Sequence, residues 1–152
     1  MLQQGAAFPE FSLPDQAGAT HSLDSLKGSK AVIYFYPKDD TTGCTQEACE
    51  FRDSLPDFEG VKVIGVSPDS VKSHKKFETK WSLNFPLLAD EEHTLLEACG
   101  LWVEKSMYGK KYMGVERTTV VIDEEGKILK VWNKVKPAGH AGEVLEFILS
   151  LD

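Results

Sequence analysis

The feature that most constrains this chain is an apolar stretch at residues 31–36, which leads through a polar turn into a segment with helical character. The stretch is a nearly continuous run of β-branched and aromatic residues, which is typical of a strand buried on both faces. A second stretch of this kind follows the helical segment at residues 61–67. The pattern favours an α/β protein in which helices cover both faces of a sheet.

The order of the segments predicts a three-layer α/β sandwich with a mixed central sheet. Strands and helices alternate first, and a hairpin follows them near the end of the chain. The predicted helices cover residues 43–55, 67–81, 91–100 and 141–151. The remaining predicted strands cover residues 85–89, 118–122 and 128–132, and residues 8–14 pair with residues 20–23 in an N-terminal β-hairpin.

Length and composition narrow the class of protein. The 152 residues suit a single domain, 1–152, and a chain that is 41% hydrophobic and 27% charged has enough apolar content for a core. The net charge of −7 argues against nucleic acid or an anionic membrane as the main partner. The first residues carry no signal-peptide pattern, and the three cysteines are too few for a disulfide scaffold. We therefore expect a cytoplasmic protein, in whose reducing compartment a cysteine pair is more often catalytic than structural. A mature organellar protein without its transit peptide would show the same pattern.

Cys44 lies at the predicted N-terminus of the helix after the buried strand, and Cys49 follows five residues later. Backbone N–H groups and the dipole at that end of a helix favour an anion such as a thiolate. Three interpretations of the pair are open: two buried small hydrophobic residues, a metal site, or redox catalysis. The metal site is disfavoured because the chain has no C-x2-C pair, no further cysteines at iron–sulfur spacing and no common spacing among its four histidines.

Helix geometry sets a condition on any bond between the two cysteines. Five residues along an ideal helix give a rise of about 7.5 Å, which puts the two Cα atoms roughly 8–9 Å apart. A disulfide normally needs a Cα separation below about 7 Å. A disulfide between Cys44 and Cys49 therefore requires the first turns of the helix to unwind, and we predict such a step in any cycle that uses both thiols.

Ionisation of the thiol accounts for only part of an efficient reaction. A free thiol is a few per cent ionised at neutral pH, and a pKa near 6 would raise the thiolate fraction only about 30-fold. Further groups must orient the substrate and stabilise the leaving oxygen. Candidates are the Thr41 hydroxyl, the backbone N–H groups of Gly43 and Cys44, and a guanidinium from elsewhere in the chain.

The segment around Cys44 resembles the active-site motif of peroxiredoxins, Pro37-x-x-x-Thr41-x-x-Cys44. Gly43-Cys44-Thr45, with Cys49 five residues on, is similar to the peroxiredoxin Q, or bacterioferritin comigratory protein, subfamily. The resemblance covers essentially the whole chain, including the residues at 8–14, 63–67 and 114–118. One departure is Thr42, where the subfamily often has proline, and we expect it to change the stiffness of the turn rather than the chemistry.

The resemblance implies a thioredoxin-like fold and a thiol peroxidase that reduces hydrogen peroxide and organic hydroperoxides without a metal, haem or flavin. Cys44 would be the peroxidatic cysteine, which attacks the O–O bond and becomes a sulfenic acid. Cys49 would be the resolving cysteine that forms an intramolecular disulfide with it. Thioredoxin or a similar dithiol would reduce this disulfide, and the subfamily suggests a monomer.

The resemblance also implies supporting roles around the thiol. Thr41 would hydrogen-bond the peroxide and the thiolate, and Arg117 would hold the thiolate ionised and polarise the peroxide. Pro37 would shield the thiolate from water, and Glu47, one turn after Cys44, would orient the arginine. Taken singly, these residues are a turn residue, a surface arginine, a strand end and a solvated helix position, and only their combination with Cys44 favours catalysis.

Two other functions stay open on the sequence. A thioredoxin-like disulfide oxidoreductase usually has C-x2-C and a cis-proline before a late strand, whereas this chain has C-x4-C and Arg117 there. A redox sensor would instead use the helix unwinding as a switch. Cys99 is expected to be a buried small hydrophobic residue, with a resolving role as the weaker alternative. The aromatic and methionine-rich stretch at 102–113 is either a loop over the sheet or an apolar wall that admits alkyl hydroperoxides.

Overall fold

The computed structural model describes residues 2–151. The strands of this part of the chain are β1 (Ser12–Pro14), β2 (Thr20–Ser22), β3 (Lys30–Phe35), β4 (Val61–Ser67), β5 (Leu87–Ala89), β6 (Trp102–Met107), β7 (Lys110–Val115), β8 (Thr118–Ile122) and β9 (Ile128–Trp132). Its α-helices are α1 (Leu23–Leu26), α2 (Thr42–Ser54), α3 (Val71–Trp81), α4 (Thr94–Ala98) and α5 (His140–Leu149). None of the helices within residues 2–151 combines the length and the apolar character needed to cross a membrane.

Five strands form the central sheet in the order β5-β4-β3-β8-β9. Strand β4 runs parallel to both β3 and β5, because α2 and α3 return the chain to the same edge before each new strand. Strand β8 is antiparallel to β3, and the hairpin at 123–126 makes β9 antiparallel to β8. The prediction of a mixed central sheet is therefore confirmed.

Strand β3 separates two hydrophobic cores, because successive side chains of a strand point to opposite faces of the sheet. Phe35 packs into one core together with Cys99, where α1 and α4 supply buried leucines. Tyr34 packs into the other core together with Cys44, where α2, α3 and α5 supply the apolar side chains. The chain is therefore a three-layer sandwich, and the two buried cysteines lie on opposite faces of its sheet.

The N-terminal hairpin is also confirmed. Strands β1 and β2 pair in antiparallel register, with Leu13 opposite His21. The turn between them is closed by the Asp15 carboxylate, which accepts hydrogen bonds from the N–H groups of Ala17 (2.8 Å) and Ala19 (3.0 Å). This short sheet is separate from the central one.

Two predicted helices begin later than expected. Helix α3 starts at Val71 rather than 67, because Ser70 caps it by accepting the Ser73 N–H at 3.0 Å. The Ser-Pro-Asp segment before it is a turn in which the Ser67 hydroxyl binds the Asp69 carboxylate at 2.6 Å. Helix α4 covers only Thr94–Ala98, and His93 before it has a left-handed backbone with φ 62°. The segment at 91–93 is therefore a turn and not the first turn of the helix.

The interpretation of the 102–113 stretch as a loop is wrong. It forms an antiparallel hairpin of β6 and β7, which pair from Trp102 with Val115 to Met107 with Lys110. Tyr108 and Gly109 make the turn with φ 52° and 78°, the combination that a tight two-residue hairpin turn needs. The hairpin stands apart from the central sheet, and most of its outer residues are exposed.

Candidate active site

Helix α2 places the Cys44 thiol as the sequence predicts, at the start of a helix that directly follows the buried strand β3. Thr41 is the N-cap residue, with extended backbone angles, and Cys44 is the third residue of the helix. The Cys44 side chain is buried, with 1% of the residue exposed. The first backbone N–H groups of a helix have no partner within it, so this end of α2 offers hydrogen bonds and positive potential to a thiolate.

Arg117 joins Cys44 to Glu47. Its Nη2 donates to the Cys44 sulfur at 3.1 Å, and its Nη1 donates to Glu47 Oε1 at 2.7 Å. The arginine lies between β7 and β8, and the Val135 N–H binds its carbonyl oxygen at 2.9 Å. Charge-assisted bonds of this kind are short and directional, so the guanidinium is held in one orientation beside the sulfur.

Taken singly in the sequence, Glu47 would be a solvated helix position. The structure shows instead that its side chain is 0% exposed. Burial raises the pKa of this carboxyl to about 7, and the attraction of Arg117 offsets only part of that rise. The second oxygen, Oε2, has no hydrogen-bond partner among the residues that the structure describes. The ionised form of Glu47 therefore depends on Arg117, and Glu47 in turn accepts one of the two hydrogen bonds that the guanidinium donates at this site.

Thr41 and Pro37 lie beside the site without a direct bond to the sulfur. Thr41 is exposed, and its hydroxyl donates to the Lys38 carbonyl at 2.9 Å rather than to a backbone group of α2. Pro37 is half-buried in the turn between β3 and α2. The structure thus brings Cys44, Glu47 and Arg117 into contact and places the other two residues in the adjoining turn, where their roles stay predictions.

Cys49 lies further along the same intact helix, half-buried, and both cysteines are free thiols. The predicted unwinding is a requirement of this geometry, and it stays a prediction. Cys99 is less suited to a resolving role, because it lies across the sheet from Cys44 and burial raises the pKa of its thiol to about 12.

The sequence interpretation missed the segment at 133–139, which covers the start of α2. A side chain at Gly43 would meet Pro137 Cγ at 3.3 Å and Arg117 Nη2 at 3.5 Å, so glycine leaves room there for both groups. The Gly139 N–H is bound by Glu50 Oε1 at 2.9 Å, which ties this segment to the helix. The only signal in the sequence is a turn at 137–139, and nothing in it points to the distant helix.

A further cluster in the turn before α2 contains metal-ligating residue types. Asp39, Asp69 and His74 bring one ligand atom each within 4.8 Å of one another. Their polar atoms already bind each other, Tyr36 and Ser73, so the cluster is a hydrogen-bonded network and does not have the open ligand set of a metal site.

The fold and the contacts of Cys44 define a class of protein, an α/β protein with a buried cysteine at a helix N-terminus beside an arginine. Comparison with known proteins identifies the family within that class. Residues 4–131 match the AhpC/TSA family. The chain belongs to this family.

Its relatives place it among the peroxiredoxins of the Bcp, or Q, type. It is 52% identical over 146 residues to the putative peroxiredoxin bcp of Coxiella burnetii, which covers 95% of this chain and 97% of the relative. It is 48% identical over 147 residues to peroxiredoxin Bcp of Bacillus subtilis, over 95% of this chain and 94% of the relative. The predicted subfamily is confirmed, and the chain is a peroxidase with a peroxide substrate and a reductant partner.

Solved structures agree with these relatives. A cysteine-to-serine mutant of Xanthomonas campestris peroxiredoxin Q superposes with a TM-score of 0.91 at 42% identity, covering 100% of this chain and 98% of that one. A second structure, of the bacterioferritin comigratory protein from the same organism, concerns its alkyl peroxide reduction activity and has a TM-score of 0.90 at 42% identity, covering 99% and 97% of the two chains. The thioredoxin-like fold is thereby confirmed.

Proposed function

We propose that this chain reduces hydrogen peroxide and organic hydroperoxides through a Cys44 sulfenic acid and an intramolecular disulfide with Cys49. Thioredoxin or a similar dithiol protein then reduces that disulfide. The observation that carries the proposal is the 3.1 Å contact between Arg117 Nη2 and the Cys44 sulfur at the start of α2. A guanidinium and a helix N-terminus both favour the thiolate, which is the reactive form of cysteine.

In the first step, the Cys44 thiolate attacks the terminal oxygen of the hydroperoxide. The O–O bond breaks, the sulfur keeps an OH group as a sulfenic acid, and the leaving oxygen takes up a proton from solvent. Arg117 is already aligned with the sulfur, so it can stabilise the negative charge that moves to the leaving oxygen. Thr41 would exchange its bond to the Lys38 carbonyl for one to the peroxide, and Pro37 would limit the access of water to the thiolate.

The range of substrates rests on a relative. The Xanthomonas bacterioferritin comigratory protein is described as reducing alkyl peroxides. Cys44 belongs to the hydrophobic core cluster that also contains Tyr34, Tyr36 and Ala48, so the inner side of the site is apolar. We therefore include organic hydroperoxides among the substrates.

In the second step, the Cys49 thiol attacks the Cys44 sulfur, water leaves, and a disulfide forms. Both cysteines lie within the single helix Thr42–Ser54, so the Cα separation of roughly 8–9 Å must shrink by unwinding its first turns. The bonds that hold this part of the helix, from Arg117 to Glu47 and from Gly139 to Glu50, must open with it. A dithiol partner supplies the two electrons and two protons that restore both thiols.

We also propose a compartment and an oligomeric state for this protein. Three free cysteines in the described chain suit a reducing compartment, and we propose that the protein acts in the cytoplasm. We further propose a monomer, on the resemblance to the subfamily. Sedimentation of the reduced and the oxidised protein tests the second point directly.

Mass spectrometry after one equivalent of hydrogen peroxide tests the proposed chemistry. We expect a disulfide that joins the peptides of Cys44 and Cys49 and leaves Cys99 as a free thiol. The Cys99→Ala variant is the matched control, because it removes the other thiol without touching α2. A disulfide to Cys99, or a stable Cys44 sulfenic acid in the presence of Cys49, would contradict the proposed resolving step.

A further inference from the structure

A buried aspartate–histidine pair lies directly before the helix that contains Cys44, and the proposed chemistry does not use it. Asp39 belongs to the turn between β3 and α2, and His74 belongs to α3. Asp39 Oδ2 and His74 Nδ1 are 2.7 Å apart, with 4% and 0% of the two side chains exposed. The sequence interpretation assigned no role to His74.

Both nitrogens of the His74 ring face oxygen acceptors. Nε2 lies 2.9 Å from the Leu88 carbonyl oxygen, so Nε2 must carry a hydrogen. One more proton lies between Nδ1 and the Asp39 carboxylate. The Tyr36 hydroxyl (2.6 Å) and the Ser73 hydroxyl (2.8 Å) donate to the same carboxylate. All four polar side-chain atoms of the pair thus have a hydrogen-bond partner.

The backbone of the turn is held as well as the side chain. The Asp39 N–H donates to Asp69 Oδ2 at 2.8 Å, and the Ser67 hydroxyl holds that same oxygen at 2.6 Å. Groups from the ends of β3 and β4 and from α3 thus converge on Asp39. Two residues later the chain reaches Thr41, the N-cap of α2, so the position of Asp39 sets where the helix with Cys44 begins.

We propose that Asp39 and His74 are positioning residues for the peroxidase reaction: they hold the turn before α2 so that Thr41 and Cys44 keep their places and regain them after the helix unwinds. The inference rests on the proposed function, because it assumes that Cys44 reacts with peroxide and that the helix opens. The buried network holds only the turn, whereas α2 itself is tied by other groups. The hydrogen bonds of Asp39 and His74 can therefore stay closed while the helix opens.

The same turn contains an internal comparison. Asp40, the next residue, binds Lys80 Nζ at 2.7 Å and Trp81 Nε1 at 3.0 Å, and so also ties the turn to α3. The side chains of Lys80 and Asp40 are 57% and 42% exposed. An exposed pair contributes little to a fixed geometry, whereas the loss of one partner of a buried pair leaves a buried polar group without its hydrogen bond. Lys80→Met is therefore the matched control for His74→Leu.

The test compares Asp39→Asn, His74→Leu, the double variant and Lys80→Met by stopped-flow oxidation of Cys44 with hydrogen peroxide. Circular dichroism confirms folding, and the absorbance of the thiolate gives its fraction at each pH. We expect each single variant at the pair to oxidise about 10- to 100-fold more slowly with the wild-type thiolate fraction, and the double variant to match the singles. Lys80→Met should stay within about twofold of wild type.

A purely structural role would lower the unfolding midpoint and leave the oxidation rate of the folded protein unchanged, which would overturn the inference. If the variants do not fold, solvent exchange of the His74 ring N–H protons in the wild-type protein decides. Ring protons protected against exchange support a closed network around Asp39, and rapid exchange overturns it. Slow oxidation of wild-type Cys44 would instead refute the proposed function, and this inference with it.

Discussion

Cys44 and Cys99 are equally buried thiols on opposite faces of one sheet, with 1% and 2% of each residue exposed. Cys44 is the third residue of α2, and the Arg117 guanidinium lies 3.1 Å from its sulfur. Cys99 follows the last residue of α4, at the C-terminal end of the helix, where the carbonyl groups lack partners within the helix. Burial raises the pKa of its thiol to about 12. Burial by itself thus suppresses a thiolate, and the helix start and the arginine are the two features that set Cys44 apart from Cys99.

Replacing the two thiols one at a time tests the difference between them most directly. Cys44→Ser removes the nucleophile, and we expect peroxide turnover to disappear. Cys99→Ala should leave turnover unchanged, because Cys99 lies in the hydrophobic core on the opposite face of the sheet from Cys44. Consumption of hydrogen peroxide with dithiothreitol as reductant measures both. Activity that survives in Cys44→Ser, or is lost in Cys99→Ala, would reverse the assignment.

Cys49→Ser separates the first oxidation from the rest of the cycle. We expect Cys44 to oxidise at its normal rate and turnover with thioredoxin to stall after one equivalent, because the sulfenic acid has no internal partner. Stopped-flow oxidation and a coupled thioredoxin assay report the two stages. Normal turnover of this variant would transfer the resolving role to Cys99 or to an external thiol.

Arg117 is the second difference between the two cysteines. Loss of a positioned donor to a developing oxyanion typically costs a factor of about 10²–10³, and we expect that loss in the rate constant for Cys44 oxidation by Arg117→Met. Arg117→Lys should recover only part of the rate, because a lysine cannot bridge Cys44 and Glu47 with a planar fork. Stopped-flow kinetics over a range of pH tests this, and a wild-type rate for Arg117→Met would show that the helix alone activates the thiol.

The sequence predicts the frame of the site better than its contacts. Strand β3 and the start of α2 follow from an apolar run and a polar turn, both local signals. The contact between Arg117 and Cys44 spans 73 positions, and only the family resemblance brought the two together. The hairpin of β6 and β7 escaped prediction because its residues are mostly exposed on both faces, so no apolar alternation marks it. Asp39 and His74 are equally hard to pair, since nothing local to either residue indicates the other.

Glu47→Gln tests how the carboxylate next to Arg117 affects stability. Burial raises the pKa of Glu47 to about 7 from the ordinary 4.5, so between these values the folded protein holds a proton that the unfolded chain has lost. The free energy of unfolding must therefore fall as pH rises through this window, by up to about 3 kcal/mol. Glutamine cannot ionise, so the variant should gain on wild type by that amount between pH 4.5 and 7.

Urea unfolding at a series of pH values measures this gain. Asp53→Asn, which removes an exposed carboxylate from the same helix, gives the background effect of losing one charge. A constant difference between Glu47→Gln and wild type across the window would show that Glu47 is ionised throughout. Arg117 would then outweigh the cost of burial.

The smallest effect belongs to Cys99, and its sign depends on pH. Cys99→Ala leaves a small cavity in the core and should lower the free energy of unfolding by about 1 kcal/mol at neutral pH. The pKa of Cys99 is about 12 in the folded protein against 9.0 for a free thiol, so the unfolded chain alone ionises between these values. Wild type therefore loses about 1.4 kcal/mol per pH unit there, and alanine does not. Urea unfolding should show the free energies of wild type and Cys99→Ala becoming equal at about pH 10. A difference that stays constant to that pH would mean that Cys99 ionises in the folded protein, as Cys44 is proposed to do.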